Sequence, residues 1–228
     1  MNTKTILMKV TSRGRPSILL ETITQYVSLA NNTNDMVWLF TFDADDRTCF
    51  DIDDKIKKII KTDKYIISKQ LVSNANKIEA INRDINELVE PKWDILLNIS
   101  DDQRPIRKGY DDLIRNAMPN HLDASLWFWD GHQNRINTQE IVGKAYYDRF
   151  KSIYYNEYKS FFCDNEATEV ALALDKFVRS PICIIKHFHP QWMQNKGPIP
   201  QDELYKRNDK YWTHDEALYK SRKQFNFK

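Results

Sequence analysis

A chain of 228 residues, 41% of them hydrophobic, is long enough to bury a core and too apolar to stay disordered. Its 34 basic and 32 acidic residues nearly cancel and are scattered along the chain, which argues against a nucleic-acid face and leaves room for a small anionic ligand. No apolar run approaches the roughly 20 residues of a membrane span, and Cys49, Cys163 and Cys183 form no CxxC pair, so a cytoplasmic protein with free, packed thiols is expected.

The first predicted element is the apolar strand "TKTILMKV". After "TSRGR", Pro16 stands where a helix can begin, and Ile18, Leu19, Ile23, Tyr26 and Val27 follow at helical spacing. "MVWLFTF" reads as a second strand ending in "DADDR", Ile52, Ile56, Ile59 and Ile60 mark a helix, and "KYIIS" a third strand. A helix is expected from about Ala75 to Val89, with Ile78, Ile81, Ile85 and Leu88 on one face, leading into the strand "WDILLNIS". Beyond Gly109 come a helix to Met118, the strand "ASLWFW", a turn at Asp130-Gly131, an aromatic stretch from Tyr146 to Phe162, a helix from Asn165 and the strand "PICIIKH". Strands alternating with amphipathic helices predict an α/β fold with a mostly parallel central sheet flanked by helices and a small mixed C-terminal part. The chain holds five glycines and neither a GxGxxG nor a GxxxxGK[ST] motif, which disfavours dinucleotide-binding and P-loop readings.

Ligands of open α/β sheets bind at the carboxyl ends of the strands, where loops meet and helix N-termini point outward. The polar clusters fall there: "TSRGRP" after the first strand, "DADD" after the second and "SDD" after the strand that ends near Ile99. In extended geometry Asp101 and Asp102 project to opposite sides, so one can bind a cation while the other orients a hydroxyl. A hard divalent ion makes their mutual repulsion tolerable; the competing reading is a turn that caps the helix near Gly109. Arg13 and Arg15, next to a helix start, suit a nucleotide's phosphates or the plain surface. Asp43, Asp45 and Asp46 suit hydrogen bonds to a base or ribose, or a solvated loop. Asp164 and Glu166 open a helix, where they serve as cap and first-turn charge or supply a general base. His187 and His189 share a strand end, where one can join a metal already held by a carboxylate.

Taken in order, these motifs resemble GT-A-fold nucleotide-sugar glycosyltransferases, most like the inverting family-two enzymes, over about Ile6 to His189. The resemblance rests on "TSRGRP", "FDADD", "NKIEAINRDI", "SDD" in the place of the DxD motif, "DNE" opening the catalytic helix, and "HFHP". It implies a GT-A-like domain over 1–189, with a nucleotide-binding half to about 105 and an acceptor half from 106, and a C-terminal extension or lid over 190–228. It further implies that Thr11, Arg13, Arg15, Asp43, Asp45, Lys77 and Asp101 bind the nucleotide sugar. Asp102 with His187 or His189 would hold Mn²⁺ or Mg²⁺, and Asp164 or Glu166 would be the base. The partners implied are a UDP- or GDP-type sugar donor and a glycan or other hydroxyl acceptor, with transfer of one sugar and inversion. The chain departs from the family pattern in reading Ser-Asp-Asp for Asp-x-Asp and Cys163-Asp164 for Glu-Asp, and it lacks the Q-x-x-R-W signature of processive synthases. Two other readings compete. "LFTFDADDRT" is similar to the aspartyl-nucleophile motif of haloacid-dehalogenase-type phosphatases, although Arg47 stands where that motif wants Thr or Val. A non-catalytic sugar-nucleotide or glycan-binding domain, with Trp127, Trp129, Trp192 and Trp212 as stacking platforms, is the other.

Overall fold

The computed structural model describes residues 3–69, 76–88, 90–190, 192–194, 197–199 and 201–228. In chain order the first half holds strand β1 (Ile6–Thr11), helix α1 (Pro16–Leu29), β2 (Met36–Phe42), α2 (Asp53–Ile60), β3 (Tyr65–Lys69), α3 (Lys77–Asn82) and β4 (Ile95–Ser100). The second half holds β5 (Gln103–Pro105), α4 (Tyr110–Ala117), β6 (Ser125–Phe128), β7 (Ile141–Gly143), α5 (Lys144–Phe150), α6 (Cys163–Ala173), β8 (Phe177–Ser180), β9 (Ile185–His187), α7 (Glu203–Asp209) and α8 (Trp212–Gln224).

Strands β3-β2-β1-β4-β7-β6-β8 form one sheet, in which β7 runs against both of its neighbours and the other pairings are parallel. Alternation along the strands divides the core in two. Ile6, Met8 and Val10 of β1, Trp38, Phe40 and Phe42 of β2, and Ile95, Leu97 and Ile99 of β4 pack on one face against α1, α2 and α4. The β2 rings stack along the strand, with centroids 5.9 and 6.1 Å apart. Leu7, Val37, Leu39 and Leu96 pack on the other face with Ile78, Tyr146, Tyr158 and Ala171.

Toward the carboxyl ends this second face turns polar. Lys9 pairs in register with Asn98, and one step further Thr11 lies between Thr41 and Ser100. Lys9 is fully buried; its Nζ donates to the Thr41 hydroxyl and, at 2.8 Å, to the Arg83 carbonyl, while Thr41 donates to Asp84 at 2.7 Å. Burial pushes the Lys9 ammonium down to about 7 against the opposing pull of Asp84.

The helix expected from about Ala75 to Val89 is shorter than its periodicity suggests, and Ala75 and Val89 themselves lie outside the described residues. α3 stops at Asn82 because Arg83 turns extended and Asp84 takes a left-handed φ of 70°, with Lys9 bonding the Arg83 carbonyl at that point. Ile85 remains buried, so its apolar spacing is satisfied by a turn. β9 likewise starts only at Ile185, and it pairs with β5 outside the main sheet, setting Gln103 opposite His187. β7 and β8 carry no legible strand signal. β7 is three residues long, and Gly143 at its end is obligatory, since a Cβ there would stand 2.1 Å from the Leu122 carbonyl oxygen. Among the described residues no helix is long and apolar enough to cross a membrane, and all three cysteines are free, with Cys49 and Cys163 buried.

Candidate active site

The carboxyl ends of β1, β2 and β4, the start of α3 and the helix α7 enclose one open cleft, lined at its floor by Thr11, Thr41 and Ser100. The loop after β1 reaches it through Gly14, whose left-handed φ of 70° suits glycine and whose N–H donates to Asp46 Oδ2 at 2.8 Å. Asp46 also caps the short turn at Thr48, which fastens the loop after β1 to the loop after β2. Across the same join Arg13 donates to Asp43 and, at 2.6 Å through both terminal nitrogens, to Asp45. The side chain of Asp45 is 56% exposed and that of Asp43 9%, so Asp43 is the one set into the wall.

Asp101 and Asp102 do not lie in extended backbone as expected: they form a turn between β4 and β5, and both are buried. Nor do they cap α4, whose N-cap is Gly109 without a side-chain bond. Each carboxylate has its own partners. Asp101 accepts from Ser12 Oγ at 2.8 Å and Arg15 Nη1 at 2.9 Å, and its carbonyl accepts from Thr22 at 2.8 Å. Asp102 Oδ2 accepts from the Tyr205 hydroxyl at 2.8 Å and lies 3.2 Å from His187 Nε2. Desolvation, only partly offset by Arg15 and reinforced by the Asp102 charge, raises the Asp101 carboxyl above its ordinary value. Burial acts on Asp102 in the same direction, but the charge and hydrogen bond of His187, with Lys77 behind them, hold it well below the usual carboxylate range. Of the adjacent pair, Asp102 is the committed anion.

The donor set around Asp102 suits a divalent ion. Among the described residues its Oδ1 is buried without a hydrogen-bond partner, as are Nδ1 of His187 and Nδ1 of His189. The two imidazoles lie edge to face with centroids 5.7 Å apart, and burial pulls His189 down to about 4, which leaves it neutral as a ligand must be. Among the described residues no three His, Cys, Asp or Glu side chains stand ready as a metal cage. A hard cation that takes phosphate and water oxygens needs only one or two protein donors, so the residues fit.

Asp164 and Glu166 both sit in the first turn of α6 but face different surroundings. Glu166 is buried, accepting from Tyr158 at 2.8 Å and from Arg222 through two nitrogens at 2.8 Å each. Asp164 is half-buried and among the described residues accepts from the neighbouring Asn165 N–H, at 3.0 Å. Desolvation raises its carboxyl, while the charges of Lys77 and His187 pull it back. Lys77 and His187 act on Asp102 too.

The structure therefore gathers Thr11, Arg13, Arg15, Asp43, Lys77, Asp101 and Asp102 around one cleft, sets His187 against Asp102, and ties Glu166 into the packing of α6. Arg15, 6% exposed, is not a surface charge: Nε and Nη2 hold Asp202 at 2.6 Å each while Nη1 holds Asp101. Ser12, Asp202 and Tyr205 escaped sequence reasoning, and Asp46, expected to face a base or ribose or a solvated loop, joins the two loops instead. Ser12 lies inside a motif already noticed, whereas Asp202 and Tyr205 come from a tail whose poor periodicity leaves nothing to read.

No protein-family model matches the sequence, and a search of curated proteins gives no match. Solved structures do match in three dimensions. The mannosyltransferase PcManGT from Pyrobaculum calidifontis, in complex with GDP-Man and Mn²⁺, matches over 84% of this chain with a TM-score of 0.66 and 7% identity, and the match spans 59% of the length of that protein. S. aureus TarS 1-349 in complex with UDP matches over 96% of this chain and 71% of its own, with a TM-score of 0.64 and 11% identity. Its complex with UDP-GlcNAc gives 89% and 64%, a TM-score of 0.62 and the same 11% identity.

Proposed function

We propose that this chain, which has the GT-A-type α/β fold of those nucleotide-sugar enzymes, is a metal-dependent glycosyltransferase that moves one sugar from a nucleoside-diphosphate sugar to an acceptor hydroxyl with inversion. The observation that carries the reading is the buried Oδ1 of Asp102, without a hydrogen-bond partner among the described residues, on a carboxylate whose other oxygen lies 3.2 Å from His187 Nε2 at the rim where three parallel strands end. The fold alone is shared by many chemistries; the residues at the rim give the function its support.

Asp43 and Thr11 would contact the nucleoside, with Arg13 fixing Asp43. Asp101, locked by Ser12 and Arg15, would orient the ribose or a water. Asp102, with His187 or His189, would hold Mn²⁺ or Mg²⁺, which when bound supplies positive charge to the departing diphosphate. Lys77, exposed at the start of α3 and acting on both Asp102 and Asp164, adds a mobile charge beside the diphosphate. Asp164 would accept the proton of the acceptor hydroxyl as that oxygen attacks the anomeric carbon. Its raised affinity for a proton suits this task. Glu166 cannot serve without releasing Arg222. A single displacement on the face opposite the leaving group inverts the anomeric centre.

The test is thermal-shift measurement with UDP, GDP, dTDP and CDP, each with and without Mn²⁺. At least one nucleotide is expected to raise the melting temperature in a metal-dependent manner, and D102N to abolish that rise. Absence of any shift in the wild-type protein overturns the reading. Phosphate release from an aryl phosphate, lost in D43N, would point to a phosphatase, and nucleotide binding without any donor turnover to a binding domain.

A further inference from the structure

The chain after Pro190 comes back to the cleft. Asp202 caps α7, with Oδ1 accepting from the Leu204 N–H at 3.1 Å, and the same carboxylate takes the side-on pair from Arg15. The Arg15 guanidinium lies 4.4 Å from the centroid of the Tyr205 ring, whose hydroxyl bonds Asp102 and whose edge meets His189 at 4.9 Å. These contacts join α7 to residues from β1's loop, β4's turn and the segment after β9, so the helix is a fixed wall of the cleft and not a detached arm.

One turn beyond Tyr205, Arg207 and Asn208 also line that cleft. The lining holds four cations, Arg13, Arg15, Lys77 and Arg207, and three carboxylates, Asp43, Asp101 and Asp102. Arg13 and Arg15 are ion-paired. Arg207 is half-buried, and among the described residues it has no hydrogen-bond or ion-pair partner. A guanidinium drawn partly from water without a carboxylate of its own is costly, and its planar fork matches phosphate oxygens.

We infer that Arg207 binds the diphosphate of the donor, delivered to the cleft by the docking of α7 through Asp202 and Tyr205. The inference rests on the donor reading above and adds a binding residue from outside the span of the family resemblance. Arg207 would add a contact from α7 to those the β1 loop offers in the same cleft. Arg15 positions the helix, and Arg207 touches the ligand.

Calorimetry with UDP and GDP in the presence of Mn²⁺, and ligand-observed NMR with uridine and guanosine, tests this on the wild-type chain, R207A and R207K. R207A is expected to weaken the nucleoside diphosphate by about tenfold or more, the scale of one lost charge-assisted contact, and to leave the nucleoside within about twofold. R207K, which keeps the charge and loses the fork, should recover part of the affinity. Circular dichroism of each variant guards against a folding defect, with R207K carrying the comparison if R207A does not fold. Equal diphosphate affinity in wild type and the Arg207 variants overturns the inference, as does a parallel loss of nucleoside and diphosphate. A wild-type protein that binds no nucleotide at all sinks the donor reading itself, a different result from an unaffected R207A.

Discussion

At the residue scale, two neighbouring carboxylates are told apart by what surrounds them. Asp101 is spent on Ser12 and Arg15, while Asp102 keeps one oxygen for a ligand. The sequence shows the adjacency but not the division, because the deciding partners lie 86 residues back at Arg15 and 103 residues ahead at Tyr205. Asp164 and Glu166 repeat the lesson two positions apart. Both look like helix-start acids, and only the packing of Arg222 shows which is a structural ion. We expect D164N to slow nucleotide release from a turned-over donor, with water as surrogate acceptor, by roughly 10²- to 10⁴-fold while nucleotide affinity stays within about twofold. E166Q should act on stability instead, costing about 3 kcal/mol in denaturant unfolding through the stranded Arg222. Similar loss of turnover and unchanged stability in E166Q would reverse the two roles.

At the scale of elements, strands and helices with strong periodicity were legible and short or reversed ones were not. β2 was readable to the residue because its seven side chains are all buried and its aromatic run admits no helix. β5, β7 and β9 are three residues each, below the length at which alternation can be seen. The C-terminal helix α8 was unreadable for another reason: it meets the fold through the half-buried Leu218, Tyr219 and Arg222, and its one fully buried residue is an acid, Asp215. That residue nonetheless matters to the site. Asp215 accepts the N–H groups of Lys159, Ser160 and Phe161 at 3.0, 2.8 and 2.8 Å, which fixes the loop leading into α6 and so the approach to Asp164. D215A leaves three donors without their acceptor and is expected to lower the melting temperature by about 10 °C, following a loss of about 3 kcal/mol. A shift of less than 2 °C would show that water replaces the carboxylate without penalty.

For the whole molecule, the α/β class and the placement of the rim follow from an alternation of strands and helices that local physics imposes. The sheet order with its single reversed strand, the pairing of β5 with β9 and the return of α7 are long-range choices, set by side chains that meet across more than eighty residues. Only the family resemblance linked "SDD" to "HFHP" in the sequence; the pairing of β5 with β9 is what sets His187 beside Asp102. The tail, read as an extension or a lid, contributes two separate services: α7 walls the cleft, and α8 braces the helix that bears Asp164.

Lys9 leaves a last consequence. An amine whose proton affinity burial has lowered to about 7 lies under a floor of threonines, and it shares the Thr41 hydroxyl with the cleft above. Negative charge arriving over that floor favours the ammonium form, so its proton affinity rises and a hydron is drawn from the buffer on complexation. Near pH 7.5, heats of nucleotide binding measured in phosphate and in Tris should therefore differ by a fraction of the two buffers' ionisation enthalpies, and K9M should make them coincide.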